Sequence, residues 1–136
     1  MIFNTLVIYT DGGARGNPGP AAIGMVIGAK QYHEYIGETT NNVAEYRAVI
    51  FALTKAHKTL GAKKAKTTHL EINTDSELIA KQLMKLYKVK QPHLKLLWQE
   101  ATDLQKNFAS VRFIIIPREE NKEADALVND ALDKNR

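Results

Sequence analysis

The sequence contains no cysteine, which excludes disulfide bonds and thiolate metal sites in this chain of 136 residues. It also lacks any apolar run near the length that a membrane-spanning helix needs. We find no internal repeat and no low-complexity linker. With a hydrophobic content of 44%, these absences predict a single domain over residues 1–136, without a membrane partner and with a cytoplasmic location.

Positive charge is concentrated in the middle of the chain. The formal net charge is only +4, yet residues 55–98 contain ten lysines and three acidic residues. A local excess of lysine suits a polyanion such as nucleic acid, because affinity for nucleic acid comes largely from neutralised phosphates. Exposed lysines also serve solubility, so composition leaves both interpretations open.

Hydrophobic patterning predicts the element order β-β-β-α-β-α-α-β-α. Strands are expected near 4–11, 21–27, 31–36, 67–74 and 111–116, and helices over 43–60, 76–87, 93–107 and 121–132. The helical crossover between the first and fourth strands makes those two parallel, whereas the first three strands are antiparallel. The predicted fold class is α/β, with a mixed sheet flanked by helices.

Two strand ends carry the same Thr-Asp pair. Asp11 follows an apolar strand and precedes a turn rich in Gly and Pro, and Asp75 follows the strand at 67–74. If these strands are adjacent and parallel, both carboxylates lie at the edge where open α/β sheets bind ligands. An Asp-Gly pair is also a common turn signal, so the pattern around Asp11 alone leaves a plain turn open.

Glu45 and Asp125 are two further candidates. Glu45 shares a helical face with the apolar residues three, four, seven, eight and eleven positions later, so it is expected to pack on the sheet and to need a partner or a cation. The alternative is a capping box in which Glu45 reaches back to the Asn42 N–H. Asp125 lies in an acidic stretch, where a single acid is more commonly solvated surface than a ligand.

Several carboxylates at one strand edge repel one another unless cations neutralise them. An oxygen-only site selects Mg²⁺ or Mn²⁺ over zinc, and the four histidines are scattered along the chain. Two such ions can support phosphodiester cleavage.

Four motifs together resemble those of the type 1 ribonucleases H. In chain order they are Tyr9-Thr10-Asp11-Gly12-Gly13 with Gly16-Asn17-Pro18-Gly19-Pro20, then Thr40-Asn41-Asn42-x-x-Glu45, Thr74-Asp75-Ser76 and Arg118-Glu119-x-Asn121-x-x-Ala124-Asp125. Each motif is weak alone, but their order and spacing are specific, and the match covers nearly the whole chain. The chain resembles a compact form, because it lacks the basic protrusion that some relatives carry after the position of Tyr87.

The resemblance implies a ribonuclease H-like fold with a five-stranded mixed sheet, three antiparallel strands plus two parallel. It implies an endoribonuclease that hydrolyses the RNA strand of RNA–DNA hybrids and leaves 5′-phosphate and 3′-hydroxyl ends. It further implies two Mg²⁺ ions, replaceable by Mn²⁺, on the metal ligands Asp11, Glu45, Asp75 and Asp125. Double-stranded RNA stays open as a second substrate, and a monomer is expected.

The resemblance also implies the substrate contacts Gly12, Asn17, Thr40, Asn41, Asn42 and Glu77. The asparagines match positions that contact the hybrid across its minor groove, where 2′-hydroxyls distinguish RNA. Thr40 matches a position near a DNA phosphate, and Glu77 replaces the glutamine of many relatives.

Arg118 stands near the place where many relatives have a mobile histidine. Our hypothesis is that Arg118 binds the scissile phosphate or helps the product leave. The alternative is a surface ion pair with Glu119, Glu120 or Glu123. A second hypothesis concerns the lysines that stand where the protrusion is missing: interleaved with Tyr87 and Trp98, they replace it electrostatically. They are Lys81, Lys85, Lys88, Lys90 and Lys95.

Three other functions remain in view. A transposase or integrase core would also use clustered acids, but the Gly-Asn-Pro-Gly-Pro turn and Asn41-Asn42 argue against it. A non-catalytic hybrid-binding module predicts lost carboxylates, whereas all four are present. A structural domain explains the lysines but not the convergent acids.

Overall fold

The computed structural model describes residues 4–135. Its strands are β1 (Asn4–Ala14), β2 (Gly19–Ile27), β3 (Lys30–Thr39), β4 (Thr68–Thr74) and β5 (Ser110–Ile115). Its helices are α1 (Asn41–Leu60), α2 (Ala62–Ala65), α3 (Glu77–Leu83), α4 (Pro92–Gln105) and α5 (Lys122–Lys134), with a 3₁₀ turn at Arg118–Glu120. The predicted order is confirmed, and the short helix α2 is an addition that the sequence pattern did not predict.

The five strands form one mixed sheet in the order β3-β2-β1-β4-β5. The β1–β2 and β2–β3 pairs are antiparallel, and the β1–β4 and β4–β5 pairs are parallel, as predicted. In the parallel register Tyr9 lies opposite Asn73. Asp11 and Asp75 each come two residues later, so both emerge at the same edge of the sheet.

Helices cover both faces of the sheet. Alternate side chains of the central strands, such as Ile8 and Ile23, join the main core beneath α1, α3 and α4. The neighbouring residue Ala22 points to the other face, where it packs with Val128 and other apolar residues of α5. The site edge is therefore approached by α1 from one side and by α5 from the other.

Two glycines set how closely these helices approach. A Cβ on Gly12 of β1 would lie 2.4 Å from the carbonyl carbon of Ala44 in α1. A Cβ on Gly24 of β2 would lie 2.5 Å from the carbonyl oxygen of Ala124 in α5. Because real Cβ atoms do not tolerate such distances, only glycine at these two positions permits the observed packing.

The start of α1 differs from the expectation of a capping box. Thr40 is the N-cap, and its hydroxyl accepts a hydrogen bond from the Val43 N–H at 3.3 Å. Asn42 is therefore already the second helical residue, and Glu45 lies in the second turn. The interpretation of Glu45 as a capping residue is wrong, whereas its predicted place on the apolar face of α1 is confirmed by the buried residues of that helix.

Helix α3 ends four residues earlier than predicted, at Leu83 rather than Tyr87. The Trp98 indole N–H donates to the carbonyl oxygen of Gln82 at 2.9 Å, which occupies an acceptor in the last turn. Lys85 then adopts a left-handed backbone conformation with φ of 65°, which a continuing helix does not allow. We call residues 84–91, which join α3 to α4, the connecting segment.

None of the helices within residues 4–135 is long and apolar enough to cross a lipid bilayer.

Candidate metal and nucleic-acid site

Three carboxylates converge at the sheet edge. Asp11 lies in β1 just beyond its pairing with β4, Glu45 lies on α1, and Asp75 follows β4. Each of the three places an oxygen within 4.8 Å of the other two. Asp11 is buried, with an exposed fraction of 7%, and the other two are partly buried. The structure therefore brings together three of the four predicted metal ligands in one tight group.

Burial and the charges of neighbouring acids raise the pKa of Asp11 and of Glu45. The pKa of Asp11 rises from 3.8 to about 8, first because of burial and then because of the charges of Asp75 and Asp125. The pKa of Glu45 is also raised well above its usual value by burial and by Asp11 and Asp75. A backbone hydrogen bond from Gly12 lowers both values without cancelling the rise. A divalent cation would relieve this repulsion directly.

Asp125 stands at the margin of the group. It lies in the first turn of α5, is exposed, and is not among the three acids whose oxygens lie within 4.8 Å of one another. It nevertheless lines the same cavity of about 340 Å³ as Asp11 and Glu45, and its charge contributes to the raised pKa of Asp11. The cavity thus contains a buried part of the site and an exposed flank.

Arg118 lies on the rim of this cavity. It is exposed at the start of the 3₁₀ turn, and its charge lowers the pKa of Glu45. Within residues 4–135 it forms no ion pair with the glutamates of its own segment, so the alternative of a surface pair with Glu119, Glu120 or Glu123 is wrong.

A buried asparagine ties α5 to β1. Asn121, with an exposed fraction of 1%, donates its side-chain N–H to the carbonyl oxygen of Thr10 at 2.9 Å. The backbone carbonyl oxygen of Asn121 accepts a hydrogen bond from the backbone N–H of Asp125 at 3.1 Å. Asn121 therefore links the residue before Asp11 to the helix turn that carries Asp125. It was part of a recognised motif, but sequence reasoning assigned it no role.

Sequence reasoning missed Arg15 and Asn129. Arg15 donates to the Asn129 side-chain oxygen at 3.3 Å and pairs with Asp133 at 2.8 Å. Asn129 in turn donates toward Asp125. The available signal was the spacing of four residues between Asp125 and Asn129, which places both on one helix face.

The predicted substrate-contact asparagines also organise the site backbone. The side-chain oxygen of Asn17 accepts from the Asn41 N–H at 3.0 Å, and that of Asn41 accepts from the Ala14 N–H at 2.8 Å. The Asn17–Pro18 peptide bond is cis. These bonds bring the turn after β1 against the start of α1, beside Thr40.

Three other predicted contacts occupy different settings. Gly12 is buried beneath α1, where its close approach to Ala44 is its evident role. Asn42 is partly buried and lines a groove of about 550 Å³ that continues along the connecting segment. Glu77 is exposed and pairs with Lys81 at 2.6 Å, which lowers the pKa of Glu77.

The connecting segment contributes lysines and apolar side chains to two adjoining grooves. Lys88 and Lys90 line the groove that contains Asn42. Lys88 also lines a second groove of about 810 Å³ with Lys85, Lys95, Tyr87 and Trp98. Four of the five predicted lysines therefore face shared grooves, while Lys81 is engaged by Glu77.

Only oxygen donors are gathered at the carboxylate group. His33 pairs with Asp130 at 3.1 Å, and His69 lies 2.6 Å from the Ser110 hydroxyl at the opposite end of β4. Within the described range the one cluster able to hold a metal is Asp11, Glu45 and Asp75. This donor set fits a hard divalent cation such as Mg²⁺ or Mn²⁺.

Comparison with known proteins finds a matching family model and curated relatives. The family model described as "Reverse transcriptase-like" matches residues 9–131. The bifunctional protein Rv2228c of Mycobacterium tuberculosis is 41% identical over 135 residues, which cover 94% of this chain and 35% of that protein. The ribonuclease HI of Halobacterium salinarum is 38% identical over 131 residues, which cover 92% of this chain and 63% of that protein.

A similar solved structure covers nearly the whole chain. A crystal structure of LC11-RNase H1 in complex with an RNA/DNA hybrid is 46% identical, covers 96% of this chain and 98% of that one, and has a TM-score of 0.90. The chain spans about a third of the length of the first curated relatives that it matches.

Proposed function

The chain belongs to the type 1 ribonuclease H family, and from this premise we propose that it is a nuclease that hydrolyses the RNA strand of RNA–DNA hybrids. The observation that carries the proposal is the group formed by Asp11, Glu45 and Asp75, whose oxygens lie within 4.8 Å of one another. A fold without this chemistry gains nothing from gathering three acids so closely that the pKa values of Asp11 and Glu45 are raised. This argues for an enzyme over a non-catalytic hybrid-binding module.

Two divalent cations are proposed as cofactors, Mg²⁺ with Mn²⁺ as a substitute. The carboxylate-only donor set and the repulsion within it support this choice. When bound, such ions supply activation of water and charge stabilisation for an in-line displacement that leaves 5′-phosphate and 3′-hydroxyl ends. Asp11, Glu45, Asp75 and Asp125 are the proposed ligands.

Arg118 is proposed to hold the scissile phosphate. Its guanidinium lies at the rim of the carboxylate cavity and makes no ion pair with neighbouring glutamates of the described chain. A guanidinium stays charged and presents several donors in a fixed fork, which suits phosphate oxygens. It cannot accept a proton, so its contribution is binding and charge stabilisation.

Asn17 and Asn41 are proposed to read the minor groove with their amide N–H groups. Their side-chain oxygens already accept backbone hydrogen bonds, so the amide nitrogens are left as donors. Donors at these positions suit the acceptors of the minor groove, including the 2′-hydroxyl oxygens of RNA. Gly12, Thr40, Asn42 and Glu77 are retained as proposed contacts from the family pattern.

The lysines of the connecting segment are proposed to bind the hybrid backbone. The groove containing Asn42 runs into the surface formed by Lys88 and Lys90, so one duplex can follow both. Tyr87 and Trp98 supply apolar surface beside the second groove. This surface replaces the missing protrusion with few residues.

A cleavage assay on four matched substrates tests the proposal. The RNA strand is labelled in a hybrid, in single-stranded RNA and in double-stranded RNA, and DNA of the same sequence is the fourth substrate. We expect Mg²⁺-dependent internal cuts in the hybrid and none with EDTA. A hybrid that is bound but never cut, in Mg²⁺ or Mn²⁺, would instead support the binding module. Cleavage of double-stranded RNA, a monomeric state and a cytoplasmic location stay predictions.

A further inference from the structure

Four side chains form a chain of contacts on the exposed flank of the site. Arg15 uses one guanidinium nitrogen to pair with Asp133 at 2.8 Å and the other to donate to the side-chain oxygen of Asn129 at 3.3 Å. The Asn129 side-chain nitrogen lies 3.2 Å from the carbonyl oxygen of Asp125 and 3.5 Å from its carboxylate Oδ2. The contacts therefore run from Asp133 through Arg15 and Asn129 to Asp125.

The orientation of the Asn129 amide follows from this arrangement. An arginine has only donors, so the oxygen of Asn129 must face Arg15. The amide nitrogen then faces Asp125, and Asp125 meets a donor rather than a second acceptor. Asp133 pairs with Arg15 through a separate nitrogen, which favours the position of Arg15 that sets this orientation.

Asp125 is the acid that most needs such support. Asp11 is buried and Glu45 and Asp75 are partly buried, so packing restricts these three carboxylates, whereas Asp125 is exposed on a helix surface. An exposed aspartate otherwise samples several rotamers, and ordering it carries an entropic cost. A donor fixed beside its carboxylate reduces that cost before any cation arrives.

We propose that Asn129, oriented by Arg15 and Asp133, is a positioning residue that holds the Asp125 carboxylate toward the site. The proposal rests on the proposed function, because it assigns Asn129 a role only through Asp125 as a ligand. Asn129 does not touch the reacting atoms.

Other contacts hold α5 against the sheet without involving Asp125. Helix α5 is also held by the His33–Asp130 pair and by the hydrogen bond from Gln31 to Glu123, neither of which involves Asp125. Loss of the Asn129 side chain should therefore leave the helix docked. Asp130→Asn is a matched control, since it weakens the ion pair with His33 and changes the residue next to Asn129 on the same helix.

The test measures metal response and kinetics for Asn129→Ala, Asp130→Asn and Asp125→Asn. The first readout is the Mg²⁺ concentration that gives half of the maximal thermal stabilisation, which needs no turnover. We expect Asn129→Ala to raise this concentration and to lower kcat by about 10-fold, the lower end for residues that orient ligands. KM for the hybrid and the melting temperature in EDTA should stay unchanged. Asp130→Asn should match the wild type in the Mg²⁺ response.

A double-mutant cycle separates positioning from general damage. In the Asp125→Asn background, Asn129→Ala should not shift the Mg²⁺ midpoint further, because its only route of action has been removed. The same shift in both backgrounds, an unchanged midpoint in Asn129→Ala, or a raised KM with normal kcat would each overturn the inference. If Asp125→Asn is inactive while Asn129→Ala behaves as wild type, the positioning role of Asn129 is overturned and the proposed ligand role of Asp125 stands. Full activity of Asp125→Asn would overturn the ligand role in the proposed function and the inference with it.

Discussion

Gly12 on β1 and Ala44 on α1 are in such close contact that a methyl group on Gly12 would lie 2.4 Å from the Ala44 carbonyl oxygen. The next residue of the helix is Glu45, and the preceding residue of the strand is Asp11. The contact between two backbones thus sets the distance between two of the acids. Glycine at this position is required by the site as well as by the fold.

Gly12→Ala tests this relationship. We expect it to lower the unfolding free energy by about 2 kcal/mol or more and to reduce cleavage by about 100-fold, because Glu45 is displaced from Asp11. Gly13→Ala is the control for stability, since the nearest atoms to its Cβ lie 3.9 Å away. Urea denaturation of both variants supplies the measurement. Equal stability of the two variants would show that the helix can move away without cost.

Stability without metal should depend on pH through Asp11. The pKa of Asp11 is about 8 in the folded protein against 3.8 as the reference value, so between these values the folded state binds the extra proton. Stability therefore falls as the pH rises from about 4 to about 8, by at most about 1.4 kcal/mol per pH unit for one group. Urea titrations in EDTA at several pH values measure this slope.

The Asp11→Asn variant is the control for that slope. Its stability in EDTA should change less with pH than that of the wild type, and it should exceed the wild type near pH 8. Saturating Mg²⁺ should raise the stability of the wild type more than that of the variant. Parallel pH profiles of the two proteins in EDTA would show that folding does not raise the pKa of Asp11, and this would contradict the prediction.

The lysines of the connecting segment should control hybrid affinity. Neutralising Lys88 and Lys90 to Gln removes up to two phosphate contacts, so the slope of log affinity against log salt should become shallower by about 1.5. Lys63→Gln with Lys64→Gln on α2 is a matched change of two charges away from these grooves. Binding to a catalytically inactive variant across a salt series gives both slopes. The same slope change in both pairs would mean that only net charge matters.

Arg118→Ala should lower the cleavage rate by about 10-fold to 100-fold, because a charge-assisted phosphate contact is lost. The pH profile should keep its shape, since an arginine does not titrate in the working range. Arg112→Ala is the control, as Arg112 is exposed on β5 and pairs with Glu71 at 3.6 Å. Rates across pH at fixed Mg²⁺ measure both variants, and a wild-type rate in Arg118→Ala would reject a role in the reaction.

Several features of the site were predictable from sequence because they depend on regular local rules. Parallel strands place their carboxyl ends at one edge, so the strands before Asp11 and Asp75 predict where these acids lie. Helical spacing similarly places Glu45 on the face of α1 that packs on the sheet. These three acids are the ones that the structure gathers most tightly.

Other features depend on packing between distant segments, and local patterns do not contain that information. Arg15 and Asn129 are 114 positions apart, and their contact follows from the docking of α5 on β2. At the early end of α3, the Gln82 carbonyl oxygen accepts a hydrogen bond from Trp98, which lies 16 positions later. Asp125 is exposed on its helix, so only the family resemblance suggested it as a candidate ligand.

Single-turnover cleavage by Asp75→Asn tests the central claim most directly, because Asp75 is one of the three converging acids and is less buried than Asp11. Labelled hybrid is mixed with excess enzyme in Mg²⁺, and hybrid binding is measured in parallel. We predict that the variant binds the hybrid like the wild type and cuts it more than about 100-fold more slowly, since loss of a ligand should exceed loss of a group that only orients one. Cleavage at the wild-type rate would contradict the assignment of the carboxylate group as the metal site.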